Sequence, residues 1–336
     1  MRENKFLMLF LRNIPLVLFV LIFLFFGILT PAFLSVGNMI DILTAVAYVG
    51  ILAVGMTFVI ITGGIDLSIG SVVYLSTLIP ALMMQNGISA AVALPCGLIV
   101  GLAMGAFNAF FIVKMRMIPF LVTLCTMVAG RGLAIFLCKS QGVRFPDSMI
   151  SFGLTKWLGL PFPIYVLVAI IIIALLIQTK TPVGRKIYAV GNDVEIARKA
   201  GINTQFTLTF AYMISGLFAA IGGIMCVFQM GGLINPSLGE GIEFNAIAAA
   251  VLGGTSLMGG VGKVFPGTIL GALIMQMLTA GLIYLGVDMY FQPIFLYLII
   301  FIAVFIDSLR TAYISKIEVR NIRVEEPQPK GGRACA

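Results

Sequence analysis

Two ionised side chains stand inside apolar surroundings, and any chemistry in this chain would begin with them. Asp66 lies in the stretch ITGGIDLSIGS and Arg131 in TLCTMVAGRGLAIF. A charge at the centre of a membrane helix costs about 2.5–3.5 kcal/mol on insertion scales, so it persists where a cavity, a partner or a polar solute meets it. For Asp66 two readings stand side by side. The glycines Gly63, Gly64 and Gly70 break the helix and expose backbone groups that a protein-lined or watery cavity must satisfy. Alternatively, Asp66 sits in a short cytoplasmic turn and caps the next helix through its backbone N–H groups. Arg131 stands about 13 residues into its apolar run, or roughly 20 Å at the helical rise. It either snorkels to the outer interface or faces a polar pathway with Thr123 and Thr126. The flanking Gly130 and Gly132 leave room and favour the pathway. Asp66 and Arg131 fall at opposite depths and are not expected to pair.

Other chemistries are missing from the residue inventory. The chain contains no histidine, which excludes HExxH zinc peptidases, His-ligated haem and Ser-His-Asp hydrolases. Its five cysteines are Cys96, Cys125, Cys138, Cys226 and Cys335, with no CxxC pair, so the spacing offers neither a zinc site nor a disulfide framework. The stretch GGTSLMGGVGKV (253–264) invites comparison with a phosphate loop. That motif needs Gly at 257 and Ser or Thr at 264, where the chain has Leu257 and Val264. No metal or nucleotide cofactor is therefore expected, and the chain is not expected to be an enzyme. A membrane-embedded enzyme would need paired carboxylates or a nucleophile–base set on facing helices, and the sequence presents neither.

The elements that position these residues follow from composition. Of 336 residues, 60% are hydrophobic and only 10% charged, against roughly a quarter charged in soluble domains. Apolar runs of bilayer-spanning length recur, and the expected spans are 14–34, 42–62, 70–85, 90–113, 118–138, 163–179, 205–230, 244–258, 264–286 and 291–310. The fold class is all-α, a polytopic integral membrane protein of about ten transmembrane helices. The segments 70–85 and 244–258 are short for a full crossing, which suits tilted, broken or re-entrant helices. Residues 1–13 form a cytoplasmic N-terminus, 14–310 the transmembrane domain, and 311–336 a polar cytoplasmic tail of disordered composition.

Charge sets the orientation. Seventeen of the 21 Lys and Arg fall on one side: three before residue 14, Lys114 and Arg116, five in 180–204, Lys263, and six after 308. Lys139, Arg144 and Lys156 fall on the other. This asymmetry puts both termini inside and explains the net charge of +8 without nucleic acid as a partner. The longest conspicuously charged inner loop is 181–203. Asp193 to Ala200 suits a short helix capped by Asn192 or Asp193 and stopped by Gly201. It is either a docking surface for a cytoplasmic partner or an ordinary solvated connection. Glycines at small-xxx-small spacing (Gly97, Gly101, Gly105; Gly267, Gly271) let helix backbones approach closely in lipid. The pattern GGxxLxxG occurs at 63–70 and again at 253–260, a hint of an internal repeat.

Three stretches together resemble a known family. AVGMTFVIITGGIDLSIGS (53–71), GRKIYAVGNDVEIARKAGIN (184–203) and EFNAIAAAVLGGTSLMGGVGKV (243–264) are similar, in order and spacing, to the signature stretches of the ribose-type monosaccharide ABC transporter permeases. These are the membrane subunits of the ribose, xylose, galactose and galactofuranose importers of bacteria. The similarity runs from about residue 30 to 310, while the tail after 312 has no counterpart. The resemblance implies the ABC importer permease fold in the bacterial inner membrane. It also implies four partners: a separate ATP-binding cassette ATPase subunit, a second permease subunit (the same chain or a relative), a periplasmic sugar-binding protein, and membrane lipid. It gives the 181–203 loop the role of engaging the ATPase, which maps onto Gly191, Asn192, Glu195, Ala197 and Gly201. A neutral sugar would be met by hydrogen bonds rather than countercharges. The translocation-pathway candidates are therefore Asp66, Ser68, Asn108, Thr123, Thr126, Arg131, Asn245, Thr255 and Ser256. The rival expectation is an ion-coupled secondary sugar carrier, with Asp66 as its titrating group and Glu243 and Asp307 near span ends.

Overall fold

Helix α1 (Ile14–Leu29) stops where Thr30 turns extended ahead of Pro31, whose ring disfavours a helical residue before it. A 3-10 turn follows over Pro31–Leu34. Ser35 then caps α2 (Val36–Ile61), its side chain accepting the Asn38 N–H at 3.3 Å. The first two expected spans are corrected accordingly: one ends at 29 rather than 34, and the other begins at 36 rather than 42. The description rests on a computed structural model covering residues 14–298, 301, 302 and 305. The N-terminus 1–13, the tail 311–336, Asp307 and part of the tenth expected span lie outside the described residues.

The chain continues as α3 (Ile69–Gln85) and α4 (Ala90–Ala109), which runs on through a widened turn, Phe110–Lys114. Next come α5 (Pro119–Cys138) and the short α6 (Asp147–Gly153). Helix α7 (Phe162–Lys180) leads into two inner-loop helices, α8 (Pro182–Asn192) and α9 (Val194–Lys199). Then follow α10 (Thr204–Gln229), α11 (Ile242–Leu252) and α12 (Ile269–Tyr284), with helical backbone again over 292–298. Two small antiparallel pairs tie the loops: β1 (Val143–Arg144) with β4 (Leu233–Ile234), and β2 (Lys156–Trp157) with β3 (Leu160–Pro161).

Among the described residues, six helices are long and apolar enough to cross a membrane: α2, α4 with its widened turn, α5, α7, α10, and α12 with the turn before it. Helices α1, α3 and α11 are apolar but shorter. The chain is thus mostly helical and multi-pass. The expected span 244–258 is really an 11-residue helix. It ends at Gly253 because Gly254 adopts φ +88°, a left-handed conformation that stops a helix.

Helices α2 and α10 form the centre, buried along most of their length, whereas α5 and α7 are mostly exposed. Phe136 and Ile172 are among the apolar side chains the outer helices present outward, as a lipid-facing surface requires. Between helices in lipid, packing replaces the hydrophobic effect, and here glycine permits it. Gly101 of α4 and Gly216 of α10 face each other so closely that a Cβ on either would strike the other's carbonyl oxygen. Gly97 lies against Ser76 of α3, and Gly105 against Tyr212 of α10. The 97/101/105 spacing therefore marks the face of α4 that seats it on the core.

Candidate functional site

Helix α2 ends at Ile61, and the chain crosses to α3 through residues 62–68, in the middle of the protein. Asp66 is 1% exposed, and its carboxylate is held entirely by hydrogen bonds. Oδ1 accepts the Ser68 N–H at 3.0 Å and the Ser68 hydroxyl at 2.6 Å. Oδ2 accepts the Ser215 hydroxyl of α10 at 2.9 Å. Ser68 Oγ in turn accepts from Asn108 Nδ2 of α4 at 2.8 Å. Among the described residues, no ion pair involves Asp66.

Helix α5 closes the other side. Thr123 donates to the Ile65 carbonyl at 3.2 Å, and Ser71 donates to the Thr126 carbonyl at 3.4 Å. Five of the nine expected pathway residues (Asp66, Ser68, Asn108, Thr123 and Thr126) are therefore one buried network joining the first helix break to α4, α5 and α10. Asp66 is thus enclosed in a protein-lined interior; its one backbone partner is Ser68, the residue before α3, and it does not cap that helix. Asn108 Oδ1 and Tyr212 Oη are buried here without hydrogen-bond partners.

Arg131 belongs elsewhere. Its guanidinium donates to the carbonyls of Pro236 (3.0 Å) and Leu238 (3.3 Å), and pairs with Glu240 at 3.2 Å. It also lies 5.8 Å over the Tyr74 ring. It staples α5 to the loop between β4 and α11 rather than joining Thr123 and Thr126, which turn to the first break. As expected, it does not pair with Asp66.

The remaining three residues lie along α11 and the second break. Asn245 Oδ1 and Thr255 Oγ1 are buried and unpartnered, while Ser256 Oγ accepts the Met258 N–H at 3.2 Å. Beside them runs a groove of about 530 Å³ lined by Gly241, Phe244, Ile247, Ala248, Val251, Leu257 and Tyr297. None of these seven was nominated from sequence, because an apolar groove wall looks like any other apolar helix face. Ser215 and Tyr212 were also missed, although a hydroxyl pair within the apolar run of α10 is a visible signal.

The two breaks meet. The Gly260 N–H donates to the Ile61 carbonyl at 2.8 Å, so the two GGxxLxxG stretches adjoin in space. Against this junction lies α8, a helix the sequence reading took for loop. Thr181 caps it, accepting the Gly184 N–H at 3.2 Å, and Pro182 sits at its first position. Gly191, in its last turn, packs so tightly that a Cβ would run into the Ile61 carbonyl oxygen. Tyr188 donates to the Gly262 carbonyl at 2.5 Å, and burial pushes its phenol above the ordinary value, leaving a neutral donor. Gln178 at the end of α7 accepts the Val264 N–H at 3.1 Å.

The expected short helix is α9. Asp193 caps it, accepting the Ile196 N–H at 2.8 Å, and Gly201 follows at φ +80°. Of the five expected coupling residues, Gly191 and Ala197 turn inward, the latter 4% exposed. Asn192, Glu195 and Gly201 face outward, and Glu195 pairs with Arg198 at 2.6 Å.

A family model described as the permease component of the branched-chain amino acid transport system matches residues 38–304. The ribose import permease protein RbsC of Bacillus subtilis (strain 168) is 38% identical over 300 residues, covering 88% of this chain and 92% of that protein. The galactofuranose transporter permease protein YtfT of Escherichia coli (strain K12) is 39% identical over 251 residues, 74% and 73% of the two chains. The fructose import permease protein FrcC of Rhizobium meliloti is 34% identical over 306 residues, 88% and 84% of the two chains. No solved structure matches the chain.

Proposed function

The chain belongs to the ribose-type family of ABC-importer permease components, and from that premise we propose that it carries a monosaccharide across the bacterial inner membrane. Its relatives are named for import of ribose, galactofuranose and fructose. It is a transport subunit, and ATP is hydrolysed by a separate ATPase. A second permease chain completes the pathway, a periplasmic binding protein delivers the sugar, and membrane lipid surrounds the outer helices.

One observation supports this reading above the others. The charged inner segment 181–203 is not a loose connection. Through Gly191 and Tyr188 it grips the point where both helix breaks are hydrogen-bonded together. A push on α9 from the ATPase would therefore reach α2, α3, α11 and α12 at once, which is what a rocking, alternating-access cycle needs. The sugar's path runs along the α11 groove. Asn245, Thr255 and Ser256, close to its lining residues in the chain, offer hydrogen bonds, while Asp66, Ser68, Asn108, Thr123 and Thr126 brace the first helix break. Arg131 fixes the outer rim. Glu195 and Asn192 meet the ATPase, with Gly191, Ala197 and Gly201 shaping the surface that does so.

The test is uptake of labelled ribose, galactofuranose or fructose by proteoliposomes holding the purified complex. Vanadate-sensitive, ATP-dependent uptake that ignores a protonophore is the expected result. Uptake by the chain without any ATPase, abolished by the protonophore, would overturn the proposal in favour of an ion-coupled carrier.

A further inference from the structure

Beyond Leu257, which lines the groove, the turn after α11 carries apolar side chains that nothing in the fold uses. Residues 256–261 close on themselves: the Ser256 N–H donates to the Val261 carbonyl at 3.0 Å, and the Gly259 N–H to the Ser256 carbonyl at 3.0 Å. At the tip of this small, hydrogen-bonded turn, Met258 is 90% exposed and Val261 59% exposed.

Hydrocarbon is a poor cover for that tip. The turn leads directly into Lys263 and adjoins the segment bearing Arg185, Lys186, Glu195, Arg198 and Lys199. Charges at this density mark the aqueous inner side. An apolar tip held out into water beside charged neighbours marks a protein contact, and methionine's flexible thioether suits a surface that must adapt during a cycle.

The turn is also locked to the inner-loop helices. A Cβ on Gly260 would strike Asn192 Oδ1, and one on Gly259 would come within 2.7 Å of the Gly191 carbonyl oxygen. Tyr188 bonds Gly262 from the same helix. Just beyond Asn192, α9 exposes Ile196 at 66%. Ile196 and Met258 thus stand on two segments joined through Asn192 and Gly260.

We propose that the Leu257–Val261 turn is a second docking element for the ATPase subunit, presented with α9 as one composite surface in which Ile196 and Met258 are the apolar anchors. The proposal rests on the reading that the 181–203 segment engages an ATPase, and it assigns a partner contact to residues outside that segment. It also explains why the second break carries glycines at 259 and 260. Any side chain there would push the turn off α8 and split the surface.

The experiment uses the tagged full-length chain in native membranes, with p-benzoylphenylalanine placed at Met258, at Ile196, or at Leu158 as control. Leu158 is 98% exposed on the β2–β3 turn of the opposite, sparsely basic side. Irradiation is expected to give adducts from 196 and from 258 whose partner peptides include a GxxxxGK[ST] phosphate loop, and none from 158. An ATPase adduct from 196 but not from 258, or a 258 adduct only with lipid or a second copy of the chain, overturns this proposal while leaving the coupling reading intact. Loss of both adducts together with absence of any co-purifying ATPase overturns both. As a second arm, Met258→Asp with Val261→Asp is expected to lower ATPase recovery about tenfold, the effect of removing interface anchors. Its melting temperature should be unchanged, since both side chains are exposed. Unchanged ATPase recovery in that variant would count against the turn.

Discussion

The backbone N–H of Gly260 is hydrogen-bonded to the carbonyl of Ile61 at 2.8 Å, joining two helix breaks that lie some two hundred residues apart in the chain. Gly191 packs onto the same carbonyl from a third segment. One oxygen atom thus gathers the end of α2, the turn after α11 and the end of α8.

Gly191→Ala tests that junction. A methyl group there meets backbone on two sides, which cannot move as a side-chain tip can, and overpacking of this kind costs about 1–3 kcal/mol. A lower melting temperature in detergent and loss of uptake are expected. Gly201→Ala makes the contrast: nothing surrounds its Cβ position, so its cost is the left-handed backbone alone, about 1–2 kcal/mol.

Asp66→Ala leaves the hydroxyls of Ser68 and Ser215 and the Ser68 N–H without their shared acceptor. Stranding buried donors costs about 1–3 kcal/mol each, so thermal unfolding should fall sharply. Ser215→Ala removes one buried bond and leaves Asp66 Oδ2 without its donor, a cost of about 1–3 kcal/mol. A double-mutant cycle between Ser215→Ala and Asn108→Ala should show coupling, because both reach Asp66 through one network.

Arg131 and Glu240 should behave unequally. Glu240 is well exposed, and exposed ion pairs contribute about 0–1 kcal/mol, so Glu240→Gln should alter little. Arg131→Gln also forfeits the charge-assisted bonds to the Pro236 and Leu238 carbonyls. Faster amide exchange or proteolysis confined to residues 233–241 is the expected signature.

Glu195→Gln should leave the fold intact, since an exposed i,i+3 pair on a helix contributes only about 0.2–0.5 kcal/mol. Recovery of the ATPase with the tagged chain should nevertheless fall. If recovery is unchanged while the melting temperature drops, Glu195 is merely structural.

Much of this was legible in the chain. Apolar runs announced α2, α4, α5, α7, α10 and α12, because a bilayer imposes a length on each crossing. The cap at Asp193 and the stop at Gly201 announced α9, because those signals are local. Helix α8 escaped notice because its glycines and charges look like a loop. It is helical because one amphipathic face lies on the helix breaks. The boundary errors at Thr30 and Gly253 arose where apolar composition continues past a backbone stop.

What the sequence determined by itself, then, was class and membership: a multi-pass membrane chain of a transport family, with its polar residues and its charged inner segment already visible. Which of those residues belong together was decided only by tertiary structure. Asp66, Asn108, Thr123 and Ser215 sit on separate segments, and no spacing rule links them. Arg131 stands between two options in the sequence, and the carbonyls that choose for it lie more than a hundred residues away. The physical reason is that a buried polar group must find its partners across helices, and helix packing in lipid is set by where small residues let backbones touch. Those contacts exist only once the whole bundle has formed.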